Sequence, residues 1–268
     1  GWPLMPLPAF TLHRPRSAAD AIALLDEDCL AYSGGTELLM AMRMGLIRPT
    51  ALVDLKRIDE LNTITLGADR LLIGAGASHD RVAGHALVAE HAALLATAER
   101  LVGNARVRAQ GSIGGNICFA EPRSDVATVL VALDATVLLQ SASSRRSVPA
   151  TEFFLGPYWT AREPGELLMA ISIPLPAPAG VYLKFQTVER PTVAVAAVAL
   201  PEGGYRIVVG AVGDLPVSAD YAQLTAVDAA DLAARVEPVS DLTGSERYKR
   251  HVTEVFVRRA VDALAGGR

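Results

Sequence analysis

Two short glycine-rich stretches constrain this chain more than any other feature. Residues 111–116 read Gly111-Ser112-Ile113-Gly114-Gly115-Asn116, and residues 33–37 read Ser33-Gly34-Gly35-Thr36-Glu37. Three glycines and an asparagine in six positions make a poor helix and a poor strand. They make a tight loop whose backbone N–H groups can face an anion. Two separated loops of this kind predict a ligand with two phosphates, gripped from both sides. The plainer alternative is a pair of ordinary turns, because a lone glycine motif is a weak signal.

The flanking sequence places each loop. Phe10–Pro15 reads as a strand, Ser17 as the cap of a helix, and Leu30-Ala31-Tyr32 as a strand that runs into the first loop. Glu37 to Met44 reads as a helix stopped by Gly45, and Ala51 to Leu55 as an apolar strand. The result is a small β-α-β-α-β unit with the glycine loop at a strand-to-helix junction, where backbone amides converge. A turn and short strand over Ile58–Ile64, a hairpin at Leu66–Arg70 and a strand at Leu71–Ala75 follow. Ser78 then caps a helix that starts at His79. Leu87 to Leu101 reads as one Ala-rich helix ended by Gly103-Asn104, ahead of the second loop.

Beyond that loop, an apolar run spans Val126 to Leu139, and alternation near Thr136–Gln140 predicts a strand. Ser141 to Ser147 reads as a polar hairpin tip, with Arg145 and Arg146 in a solvated turn. A composition change at Pro157–Gly165 predicts a domain boundary. After it, Leu167–Ile173 is a strand, and Tyr182–Val188, Val193–Leu200 and Tyr205–Val212 form a three-stranded antiparallel sheet. Helical periodicity takes over at Ala229–Arg235 and Tyr248–Leu264, giving an α+β layer arrangement.

Composition narrows the chemistry. The chain has 268 residues, enough for two or three compact units. Its net charge of −4 and scattered arginines give no pull toward nucleic acid. Cys29 and Cys118 are the two cysteines, and no CxxC occurs, so cysteines of this chain cannot hold an iron–sulfur cluster or structural zinc. The five histidines show no metal-ligand spacing. No segment reaches the roughly 18 uninterrupted apolar residues of a membrane helix. Gly1-Trp2-Pro3-Leu4 lacks the order of a signal peptide, and the expected location is cytoplasmic.

The ordered set of motifs resembles a known family. The two glycine stretches, Ala51–Leu55, Asp125, Pro164-Gly165-Glu166-Leu167-Leu168, Ile173-Pro174, Tyr182–Phe185 and Arg258-Arg259-Ala260 are similar to the FAD-binding (medium) subunit of molybdenum hydroxylases. That family includes carbon monoxide, xanthine and nicotine- or caffeine-type dehydrogenases. The resemblance covers nearly the whole chain. It implies an α+β fold of the vanillyl-alcohol oxidase type, with FAD-binding subdomains over residues 1–57 and 58–160 and a C-terminal α+β domain over 161–268.

The resemblance also implies roles. Ala31, Tyr32, Ser33, Gly34, Gly35, Thr36 and Glu37, with Ser112, Gly114, Gly115 and Asn116, hold the FAD pyrophosphate through backbone amides. Asp125 accepts from a hydroxyl of the cofactor, against the simpler reading of a helix N-cap. Leu168 packs on the flavin ring, against a simple core position. Lys184, one of three lysines, sits at the flavin's polar edge, against a surface role. Thr192 stands where several relatives carry an aromatic ring, and Phe119 is the candidate to fill that space. Glu121-Pro122-Arg123-Ser124 resembles the nicotine- and caffeine-type branch, and the iron–sulfur insertion of the hydroxybenzoyl-CoA reductase branch is absent.

By the same resemblance, the chain is an electron-transfer subunit with no catalytic residue of its own. Its partners are a large molybdopterin subunit carrying the molybdenum cofactor and a small subunit carrying 2Fe–2S clusters, in a dimer of heterotrimers. Electrons reach FAD from those clusters and leave to an external acceptor. The alternatives are a free-standing flavoenzyme of the same fold and a non-enzymatic binding module.

Overall fold

The computed structural model describes residues 6–267, so Gly1–Leu4 lies outside the described residues. The first unit follows the expected order β1 (Thr11–His13), α1 (Ala18–Ile22), β2 (Cys29–Tyr32), α2 (Leu38–Arg43), β3 (Ala51–Asp54). Its three strands are parallel, in the order β1-β3-β2. Ser17 caps α1 by accepting from the Asp20 N–H. Ala18, Ala21, Ile22, Val53, Leu55, Ile58 and Leu61 close the core of this unit.

The second unit opens with the hairpin β4 (Ile64–Leu66) and β5 (Arg70–Gly74). Helices follow: α3 (His79–Gly84), α4 (Ala86–His91), α5 (Ala93–Leu101), α6 (Ala105–Gln110), α7 (Ile113–Phe119) and α8 (Asp125–Ala132). The single helix expected over 87–101 is broken at Ala92, which leaves helical geometry at φ −145°, ψ 52°. Next come β6 (Thr136–Gln140), β7 (Arg145–Pro149), α9 (Ala150–Phe153), the small hairpin β8 (Phe154–Gly156) and β9 (Trp159–Thr160), then β10 (Leu167–Pro174).

Strand β10 changes the expected domain plan. It is the middle strand of a five-stranded sheet of order β4-β5-β10-β6-β7, antiparallel to both β5 and β6. The unit expected to end at residue 160 therefore runs on through Pro174, because its sheet is incomplete without this late strand. The expected solvated turn at Arg145-Arg146 is instead the start of β7. Arg146 makes a two-pronged ion pair with the buried Glu166, at 2.7 and 2.8 Å.

The last unit is an antiparallel sheet of four strands, one more than expected: β11 (Ala179–Phe185), β12 (Val193–Ala199), β13 (Tyr205–Gly210) and β14 (Val217–Tyr221). Strand β14 alternates half-buried and exposed residues, so its apolar signal was too weak to register. Helices α10 (Ala229–Arg235) and α11 (Glu246–Gly266) complete the chain. Strand β12 shows how the sheet is held. Val193, Val195 and Ala197 face α10 and α11, while Ala194, Ala196 and Val198 face the core that contains α8. Both faces are buried, so the strand reads as a continuous apolar run.

Helix α7 is the largest departure from expectation. The second glycine stretch is mostly helix, not loop. Ser112 caps it, with Oγ accepting from the Gly115 N–H at 3.2 Å. The Gly114 N–H donates to the Ala75 carbonyl at 2.9 Å. A Cβ on Gly114 would lie 2.6 Å from the Ala75 Cβ. The glycine lets the helix sit against the chain after β5, and this packing outweighs the weak helix propensity.

Candidate functional site

The first loop and the start of α7 face each other across a cleft of about 420 Å³, within the roughly 300–1,000 Å³ typical of ligand sites. Ala31, Ser33, Gly34, Gly35, Thr36 and Glu37 line one wall. Ser112, Gly114, Gly115 and Asn116 line the other, with Phe119, Asp125 and Leu168 completing the lining. Tyr32 is set apart: its ring packs beneath Gly35 and carries the Lys56 Nζ 3.8 Å from its centroid.

The two walls are not equivalent. Among the described residues, the N–H groups of Gly34, Gly35, Thr36, Glu37 and Leu38 have no acceptor, and α2 starts without a side-chain cap. Backbone N–H groups are strong donors that folded proteins pair with something. Five in succession on a cleft wall are suited to an anion. On the other wall the Ile113, Gly114, Gly115 and Asn116 N–H groups are already used, by Ala77 O, Ala75 O, Ser112 Oγ and Ser112 O. That side offers side chains instead: the Ser112 hydroxyl and the Asn116 amide, whose Oδ1 accepts from Ser124 Oγ at 2.7 Å.

Asp125 stands in the first turn of α8. The cap is Ser124, whose Oγ accepts from the Ala127 N–H, so the N-cap reading of Asp125 is replaced. Asp125 Oδ1 accepts from the Tyr182 hydroxyl at 2.5 Å and lies 3.1 Å from Lys184 Nζ. Burial pushes the Asp125 carboxyl up against the opposing pull of Lys184 and Tyr182, and it holds the Tyr182 hydroxyl well above its ordinary value. Lys184 is buried, not a surface lysine, and it also donates to the Leu101 carbonyl at 2.6 Å. It does not line the cleft and reaches the site only through Asp125.

A charged strap crosses the cleft. Arg190, between β11 and β12, pairs with Glu37 Oε1 at 2.6 Å and with Glu121 Oε2 at 3.0 Å. Glu121 also accepts from the Tyr158 hydroxyl at 2.8 Å and from Arg123 at 3.2 Å. Burial raises the Glu121 carboxyl, but Tyr158, Arg190 and Arg123 together hold it below the usual range. Thr192 is buried and off the cleft. The aromatic rings at the cleft are Phe119 and Tyr158, packed edge to face with centroids 5.2 Å apart. Both cysteines line the cleft as free thiols, and no group of metal-ligating side chains occurs among the described residues.

Residues 8–176, which carry both loops and most of the cleft, match the family described as the FAD binding domain in molybdopterin dehydrogenase. The chain belongs to that family. The carbon monoxide dehydrogenase medium chain of Afipia carboxidovorans is 33% identical over 277 residues, covering 95% of this chain and 96% of the relative. The nicotine 6-hydroxylase medium subunit of Paenarthrobacter nicotinovorans is 29% identical over 283 residues, covering 98% and 100%. A solved structure of quinoline 2-oxidoreductase from Pseudomonas putida 86 is similar at a TM-score of 0.90 and 28% identity, covering 98% of this chain and 99% of that one. The identities do not single out the branch to which Glu121–Ser124 pointed.

This FAD-binding chain is an oxidoreductase subunit, and its free amides and cleft fit the cofactor's diphosphate. Two features had no readable sequence signal. Arg190 lies 153 residues from its partner Glu37. His79 and Glu99 sit on separate helices, α3 and α5, and meet in the interior at 2.5 Å.

Proposed function

We propose that this chain is the flavin subunit of a molybdenum hydroxylase, taking electrons from iron–sulfur clusters on a small partner and passing them to an external acceptor. The observation that carries the reading is the run of five unpaired amides, Gly34 to Leu38, on the wall of the cleft. FAD supplies the redox chemistry, and the protein's task is to hold and tune it. The first loop holds the diphosphate through backbone N–H groups. Ser112, Gly115 and Asn116 close over it from α7, with Gly115 leaving room for close approach. Asp125, propped by Tyr182 and Lys184, accepts from a hydroxyl of the cofactor. Leu168 and Phe119 supply apolar contact for the ring system.

The chain's own surface supports partners. Met40, Met44 and Leu46, on and just after α2, are exposed, as are Tyr158 and Trp159 on the β8–β9 hairpin. Ile47 and Tyr158 line the cleft itself, so this apolar surface borders the site. Such surface is suited to protein contact. A large molybdopterin subunit and a small iron–sulfur subunit, assembled as a dimer of heterotrimers in the cytoplasm, complete the reading. Among the described residues no helix is long and apolar enough to cross a membrane.

Purification of the chain with its co-eluting proteins tests this. The expected result is one FAD per chain, together with iron and molybdenum in the same peak. A flavin-only monomer that turns over substrate unaided would favour the free-standing flavoenzyme. A protein that stays colourless after incubation with FAD would refute both.

A further inference from the structure

Behind the second glycine stretch lies a buried pair that no sequence motif marks. His79 is 2% exposed and Glu99 is fully buried, and His79 Nδ1 lies 2.5 Å from Glu99 Oε2. Glu99 Oε1 has no hydrogen-bond partner among the described residues. The contact turns Nδ1 to the buried carboxyl and leaves the other ring nitrogen, Nε2, facing away from it.

That nitrogen is unpaired. His79 lines the cleft, and among the described residues no group bonds to its Nε2. The surroundings hold the ring rigidly. The His79 N–H donates to the Gly111 carbonyl at 3.1 Å. A Cβ on Gly111 would stand 3.1 Å from the ring Cδ2 and 3.3 Å from Nε2, so the chain passes close against the ring. Ser112, the cap of α7, is the next residue.

We infer that His79, oriented by Glu99, is a further cofactor-binding residue: its Nε2–H donates to an oxygen of the FAD diphosphate, from the wall opposite the free amides of Gly34 to Leu38. The inference rests on the reading that this cleft holds FAD. It answers the imbalance between the two walls, since the amides of α7 are used and a side-chain donor takes their place. Glu99 does not touch the cofactor and acts as a positioning residue.

The test uses the geometry of amide side chains. In His79→Gln the amide nitrogen lies near the place of Nε2, and in His79→Asn near that of Nδ1. FAD titrations of the flavin-stripped full chain, followed by flavin fluorescence, are compared with thermal melts of the same flavin-free samples. His79→Asn is expected to weaken FAD binding about tenfold or more. His79→Gln is expected to stay within about threefold of wild type, the two flavin-free variants melting alike. Equal FAD affinity in the two variants, or the reverse order, would overturn the inference while wild-type binding keeps the parent reading. Wild-type protein that binds no FAD would overturn both.

Discussion

Gly34 and Gly111 meet backbone to backbone: a Cβ on Gly34 would stand 2.7 Å from the Gly111 Cα, and nearer still to the Gln110 carbonyl oxygen. The two loops that form the cleft are thus joined at its base, and the first unit is held to the second by a contact that has no room for a methyl group. Gly34→Ala is expected to pry the loops apart, lowering stability by about 1–3 kcal/mol. FAD content should fall with it. Urea unfolding with flavin release read on the same samples checks both. A variant with wild-type midpoint and flavin content would show that the contact yields freely.

Gly114 and Gly115 are neighbours with opposite tasks. Gly114 is buried against Ala75, so Gly114→Val is expected to damage the fold itself, by about 3 kcal/mol, and not merely the cofactor site. Gly115 is exposed on the cleft wall, and a Cβ there meets only Ser112 Oγ, at 2.9 Å. Gly115→Ala should lower the melting temperature far less than Gly114→Val, since the alanine's helix preference of about 1 kcal/mol offsets the displacement of the Ser112 cap, while FAD affinity falls. Paired melts and FAD titrations separate the two. Equal losses of affinity at unchanged stability would sink the distinction.

Lys184 and Asp125 form a buried ion pair, with side chains 8% and 5% exposed. Lys184→Met would strand the Asp125 carboxylate with only the Tyr182 hydroxyl. A cost of about 3–5 kcal/mol is expected at neutral pH. Asp125→Asn in the same chain should recover part of it, because the stranded charge is gone. A double-mutant cycle in urea measures the coupling. Strict additivity would show that the two charges do not depend on each other.

The Arg146–Glu166 pair predicts a pH dependence. Its hydrogen bonds from Arg146 hold the Glu166 carboxyl below the usual range, against the upward push of burial. A carboxyl depressed in the folded state contributes stability above its unfolded pKa, about 4.3, and loses it as pH falls through the folded value. Arg146→Leu should therefore be less stable than wild type at pH 7, with the gap closing below about pH 4. Stability measured from pH 7 down to pH 3 checks this. A gap that stays constant across the range would mean that Glu166 is not the titrating partner.

Much of this was readable from local pattern. The β-α-β-α-β unit, the Ser17 and Ser78 caps and the apolar run of β12 rest on signals within a few residues, and the structure keeps them. The first glycine loop was legible for the same reason. Its five free amides follow from a strand ending and a short helix beginning without a cap.

What tertiary structure decided are the relations between distant residues. Helix α7 forms through a glycine that packs on Ala75, so a contact 39 positions away overrides local propensity. Strand β10 joins a sheet begun nearly a hundred residues earlier (Ala170 pairs with Gly74), which no composition change at 157–165 could reveal. Arg146 is pinned by Glu166, and His79 by Glu99, across helices and strands that sequence order does not relate. Local sequence determined that the chain holds a loop fit for phosphate, because backbone donors depend only on local geometry. Which side chains face that loop depended on how the units close around it, because burial and pairing belong to the folded whole.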